Sequence, residues 1–181
     1  MTKTRTVLAI SFAAIFAISM VMAPVYAVGH LAIEDAKMTK HVKKGTIDLK
    51  IKVTAKIPKD ESSSFGWALL GWEKFLVVVT HVPDFDDSVF DKKKGAFHTH
   101  VLDLGSSDKC VSKLQVLGGT DPGYKNKVGK DKIKVKKVSL SDLGPRTVGP
   151  IQVAGFAITI EGGDICVNLK TPVEPTIKLK K

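Results

Sequence analysis

The sequence predicts an all-β protein: an antiparallel β-sandwich, immunoglobulin-like or jelly-roll, of seven or eight short strands behind an N-terminal signal peptide. Three observations predict it. Residues 1–27 have the build of an export signal. Gly45–Pro58 alternates apolar and polar residues with period two. Gly162-Gly163 sits between two apolar runs, where a two-residue hairpin turn belongs.

The leader comes first. Lys3 and Arg5 give a positive start, and Val7–Ala23 carries no charge. Pro24 breaks the run, and Val25-Tyr26-Ala27 places small residues where a signal peptidase reads. Cleavage after Ala27 leaves Val28–Lys181: a lead-in over 28–44 and a single β-sandwich domain over 45–181. No later segment is long and apolar enough to span a bilayer. A retained leader would instead act as an N-terminal membrane anchor. The expected location is secreted or envelope-associated.

Leu31–Val42 admits a short helix, a first strand or an extended lead-in. In Gly45–Pro58, Ile47, Leu49, Ile51, Val53, Ala55 and Ile57 alternate with Thr46, Asp48, Lys50, Lys52, Thr54 and Lys56. That is a half-buried strand with a lysine-rich outer face. Phe75–Val82 is apolar on both faces and suits a central strand. Further strands are expected at 96–104, 111–117, 132–140 and 151–161, with a bulge at Lys136-Lys137. The hairpin turn sets a register: Glu161 opposite Asp164, Ile160 opposite Ile165, Thr159 opposite Cys166, Ile158 opposite Val167. Phe156, Ile158 and Ile160 then share a face with Ile165, Val167 and Leu169, and Cys166 takes the other.

The chain carries a formal charge of +10, and removing Lys3 and Arg5 leaves +8. Arg146 is the only arginine after the leader. Lysine is a hydrated point charge and makes poor bidentate contacts, so nucleic acid is not the expected partner. The lysines form a solvated face or attract an anionic envelope polymer or protein. Cys110 and Cys166 are the only cysteines. In an exported protein they are expected to form a disulfide.

Five histidines carry most of the candidate chemistry. His98 and His100 are two apart in a strand and share a face, so two nitrogens can converge on Cu(II) or Zn(II). Antiparallel pairing across residues 83–95 would set His81 opposite His98. Cleavage after Ala27 would expose Val28-Gly29-His30. There the amine of Val28, two amide nitrogens and the His30 imidazole can form a square-planar site for Cu(II) or Ni(II). Asp84, Asp86, Asp87 and Asp91 crowd one loop but lack the EF-hand spacing. Trp67 and Trp72 read as core plugs or a sugar platform. His41 shows no partner. There is no G-x-S-x-G and no phosphate-binding loop.

The alanine- and methionine-rich leader, the FHTHVLDL strand, the cysteine soon after it and the later ICVNL together resemble small exported proteins of ammonia-oxidising archaea. The resemblance implies export and carries no activity. The expected function is therefore non-enzymatic binding outside the cytoplasm, through copper or zinc at His98, His100 and His81. The alternative is a structural or adhesive surface component that holds an anionic polymer on its lysine face.

Overall fold

The computed structural model describes residues 29–59, 64–80 and 97–181. These hold eleven strands: β1 (Ile33–His41), β2 (Thr46–Val53), β3 (Phe65–Leu70), β4 (Phe75–Thr80), β5 (His98–Ser106), β6 (Leu114–Thr120), β7 (Asn126–Val128), β8 (Lys132–Ser139), β9 (Gln152–Glu161), β10 (Asp164–Leu169) and β11 (Thr176–Lys180). A single 3-10 turn, Val42–Lys44, joins β1 to β2. The strands form two sheets. One is five-stranded, ordered β11-β1-β2-β8-β7; the other is a closed barrel, β10-β6-β5-β4-β3-β9.

The all-β expectation holds, but the pairing does not establish a sandwich in either expected form. The second sheet closes on itself, and β1 with β11 is a parallel pair. Strands β3, β7 and β11 went unread: FGWALL is a continuous apolar run without alternation, NKV is too short and TIKLK too lysine-rich to stand out. Leu31–Val42 resolves as a strand. Ala36 and Met38 alternate with Asp35, Lys37 and Thr39, and β2 and β11 take up its backbone groups.

Two cores explain why β3 and β4 are apolar on both faces. Phe65, Trp67, Leu69, Leu76 and Val78 share a buried cluster with Met38, Ile47, Leu49, Ile51 and Ile133 of the five-stranded sheet. Their alternates Ala68, Val77 and Val79 pack inside the barrel with Phe156 and Val167. A six-stranded barrel is narrow, so its lining mixes small and large residues. Gly66 lies opposite Phe156, and a Cβ there would stand 2.8 Å from the Phe156 ring and 2.3 Å from the Val78 carbonyl oxygen. Both tryptophans serve as core, with Trp67 1% and Trp72 5% exposed.

Two local expectations are met. The β9–β10 hairpin has the expected register, with Gly162 and Gly163 at positive φ of 58° and 89°. The bulge falls at Lys136-Lys137, opposite Asp48. Lys137 turns to φ 57°, and its N–H donates to Asp48 Oδ1 at 2.9 Å. His41 Nε2 lies 3.2 Å from the other Asp48 oxygen, a partner the sequence did not reveal. Partial burial opposes ionisation of Asp48, but the Lys137 N–H and His41 outweigh it and hold the carboxyl below its usual range.

The barrel closes at a thin seam. Strands β10 and β6 share one ladder pair, Cys166 with Gln115. The expected disulfide lies there: Cys110 is bonded to Cys166, Cα atoms 5.5 Å apart, both residues buried. The loop bearing Cys110 also grips the hairpin. The Ser107 hydroxyl donates to Asp164 at 2.7 Å, Lys109 Nζ donates to it at 3.2 Å, and the Val111 N–H donates to Glu161 at 2.7 Å. The Ser107 hydroxyl, then Lys109, hold Asp164 below the usual carboxylate range. The Thr159 hydroxyl, then the Val111 N–H, do the same for Glu161.

A disulfide across a sequence separation of 56 residues is worth about 4 kcal/mol in the chain-entropy model. The Cys110→Ser/Cys166→Ser variant is expected to lose about that much in denaturant unfolding. A loss under about 1 kcal/mol would show that the seam closes without the bond.

Candidate functional site

The histidine pair is built by β5. Strand β5 pairs with β4 so that Val79 faces His98 and Val77 faces His100. Val77 and Val79 line the barrel, so both imidazoles lie on its inner face. Their ring centroids are 4.7 Å apart, edge to face. Both residues are half-buried. The antiparallel pairing on which the His81–His98 contact was conditional is present, but in a different register: Val79 stands opposite His98. The shift arises because the long connection left register unconstrained and the inward valines set it. His81 and the aspartates of residues 84–91 lie outside the described residues.

His30 sits elsewhere. Its ring packs on Phe65 at 4.6 Å, and its carbonyl accepts the Trp67 indole N–H at 3.1 Å. The Gly29 carbonyl accepts the Thr54 hydroxyl at 2.7 Å. Val28, the other end of the expected chelate, lies outside the described residues. Among the described residues no three His, Cys, Asp or Glu side chains gather into a metal-binding group. The structure therefore brings His98 and His100 together and leaves His30 apart.

The second candidate is the outer face of the five-stranded sheet. Alternation along β1, β2 and β8, broken by the Lys136-Lys137 bulge and an irregularity at Ile33–Asp35, sends the apolar residues inward and leaves polar ones outside. The register then does something the sequence does not display. Lys37 pairs with Lys50, Lys50 with Lys134, and Lys134 with Lys127. Four lysines stand in one row across β1, β2, β8 and β7, all exposed. Lys52 and Lys132 form a second pair beside them.

Few carboxylates answer this charge. Asp35 holds Lys37 at 2.7 Å, and Glu34 holds Lys52 at 2.5 Å. Among the described residues no carboxylate lies within ion-pair distance of Lys50, Lys127 or Lys134. A shallow trough of about 220 Å³ runs over this part of the face, between Lys37, Lys50, Lys52, Lys132 and Lys134, with Asp35 also on its border.

No protein-family model, curated protein or solved structure matches this chain. The reading of its surface therefore rests on geometry.

A groove of about 450 Å³ lies at one end of the sheet, lined by Met38, Trp72, Leu140, Ile151, Ile177 and Leu179, with Lys40 and Arg146 as its charged residues. Ligand pockets fix a guest with a few converging polar groups. Here the Arg146 guanidinium already lies 5.2 Å over the Trp72 ring and donates to the Gly149 carbonyl at 2.9 Å. No histidine lines the groove. Among the described residues no helix is long and apolar enough to cross a membrane.

Like charges directly opposite one another destabilise a sheet by about 0.2–1 kcal/mol per pair. Lys134→Thr removes two such contacts and keeps a strand-forming residue. It is expected to raise stability by about 0.5 kcal/mol at low ionic strength, with the gain shrinking as salt screens the row. Melting curves across a salt series check this. A loss of stability, or a gain independent of salt, would mean the lysines do not strain the sheet.

Proposed function

We propose that this is an exported, non-enzymatic binding protein of the envelope or extracellular space. It holds an anionic envelope polymer on the outer face of the β11-β1-β2-β8-β7 sheet. One observation carries the reading: the Lys37–Lys50–Lys134–Lys127 row, in which like charges stand opposite one another with little compensation. Lysines on edge strands often serve only to discourage aggregation. Lys37, Lys50 and Lys134 lie on interior strands, where that role has no use. The buried disulfide supports an oxidising compartment. The near-absence of arginine argues against a nucleic-acid partner.

Retention on an anionic polymer matrix tests the proposal. The purified exported form is expected to bind at low ionic strength and to elute steadily as salt rises. Retention that persists at high salt would remove the electrostatic reading.

A second reading, a Cu(II) or Zn(II) site, is favoured by the contact between the His98 and His100 rings. Two nitrogens fall short of the three or four donors such metals take from proteins, which is why this reading stands second. Metal analysis of untagged protein is expected to find stoichiometric copper or zinc that disappears in His98→Ala/His100→Ala. Substoichiometric metal, unchanged in that variant, excludes the site.

A further inference from the structure

We infer that the polymer is a linear acidic polysaccharide laid across the strands, presenting one carboxylate or sulfate to each lysine of the Lys37–Lys50–Lys134–Lys127 row. The inference rests on the polyanion reading above and adds the ligand class and its direction.

Spacing is the first argument. Neighbouring strands lie about 4.8 Å apart, so the row offers one cation at that interval over about 14 Å. A pyranose advances an extended glycan by much the same distance, so one acidic group per sugar falls into step with one lysine per strand. Nucleic-acid phosphates recur at about 3.4 Å per strand and drift out of step. Polyphosphate crowds its charges closer still. Among the described strand residues the face carries no Phe, Tyr or Trp on which a base would stack, and its one imidazole, His41, is held against Asp48 at the end of β1.

Direction follows from where the carboxylates lie. Along β1 the row is flanked by Asp35, and along β2 by Asp48, so neither strand offers an unbroken cationic track lengthwise. Strand β8 does, through Lys132, Lys134 and Lys136. Its same-face residues are spaced at about 6.8 Å, however, too wide for successive sugars. Across the strands the four lysines are continuous.

Shape is the third argument. Adjacent strands rotate by about 20–25°, so the row turns as it crosses the sheet. A single chain that twists can follow it, whereas a flat array of lipid headgroups cannot. The lysine stems bordering the trough give an apolar floor for the C–H faces of sugars.

Two double variants of the full exported chain test this, both retaining Lys134 and both removing two charges. Lys50→Ser/Lys127→Ser cuts the row; Lys132→Ser/Lys136→Ser cuts the track along β8. Calorimetric titration with oligouronates from dimer to octamer is the measurement, with polyphosphate and phosphatidylglycerol vesicles as competitors and melting curves to confirm folding. Affinity is expected to rise steeply up to the tetramer and slowly beyond it. The row variant is expected to lose about tenfold, and the β8 variant less than about threefold. Equal losses, or a larger loss along β8, would overturn the direction while polyanion binding stands. Tighter binding of polyphosphate or vesicles at matched charge would overturn the glycan class. Failure to bind any of the three would remove the polyanion reading itself.

Discussion

Strands β3 and β4 belong to two cores at once, and β9 joins them with Val153 in one core and Phe156 in the other. Phe65, Trp67, Leu69, Leu76 and Val78 bury one face of β3 and β4 against the five-stranded sheet, while Ala68, Val77 and Val79 bury the other inside the barrel. Every other packing relation follows from this shared wall. The barrel has no free face on β3 or β4, so its remaining strands close around the inner cluster. The sheet has its inner face covered along β1, β2 and β8, so there the outer face meets solvent, while Ile177 and Leu179 of β11 stay exposed. That constraint separates a buried half of the molecule from a surface free to carry charge.

The closed barrel depends on more than hydrogen bonds. Strand β10 joins β9 along its full length but meets β6 through a single pair. The Cys110–Cys166 bond lies at that pair, and the Ser107–Val111 loop adds hydrogen bonds to Asp164 and Glu161. Here covalent chemistry does what a longer ladder would otherwise do. Oxidation of the Cys110–Cys166 pair is thus tied to the fold itself, through the place where its pairing is weakest.

Much of this was legible in the sequence, and the limits have physical causes. Period two exposed β2, and the double glycine exposed the β9–β10 register, because both signals are local. The Lys136-Lys137 bulge was legible because it breaks an alternation. Barrel closure was not, since the meeting of β10 with β6 is long-range and leaves no periodic trace. Strand β1 was ambiguous because Leu31, Asp35, Met38 and Val42 fit a helical face as well as an extended one. The lysine face was legible as composition from Lys50 and Lys52 in β2. The row was not: it exists only once β1, β2, β8 and β7 are in register. The histidine pair showed the same division. His98 and His100 sharing a face is a local fact, whereas the residue opposite His98 is set by the pairing of β4 with β5, where Val79 took the place expected of His81.

A lysine row on interior strands needs a reason, because the sheet can satisfy its inner face without it. Alternation requires only that the outer positions be polar, and Thr39, Thr46 and Thr176 show that threonine is accepted there. Threonine would also favour the strand and remove repulsion between neighbours. Solubility requires charge somewhere, but mixed signs would serve it with less strain. Of the nearby acidic residues, Asp35 pairs with Lys37 at one end of the row, Glu34 pairs with Lys52 beside it and Asp48 lies next to Lys50 along β2. Lys50, Lys134 and Lys127 therefore follow one another without a carboxylate between them. Like charges thus stand in line across the sheet at some cost to its pairing. Such an arrangement suits a surface that meets a linear anion better than one that merely stays in solution.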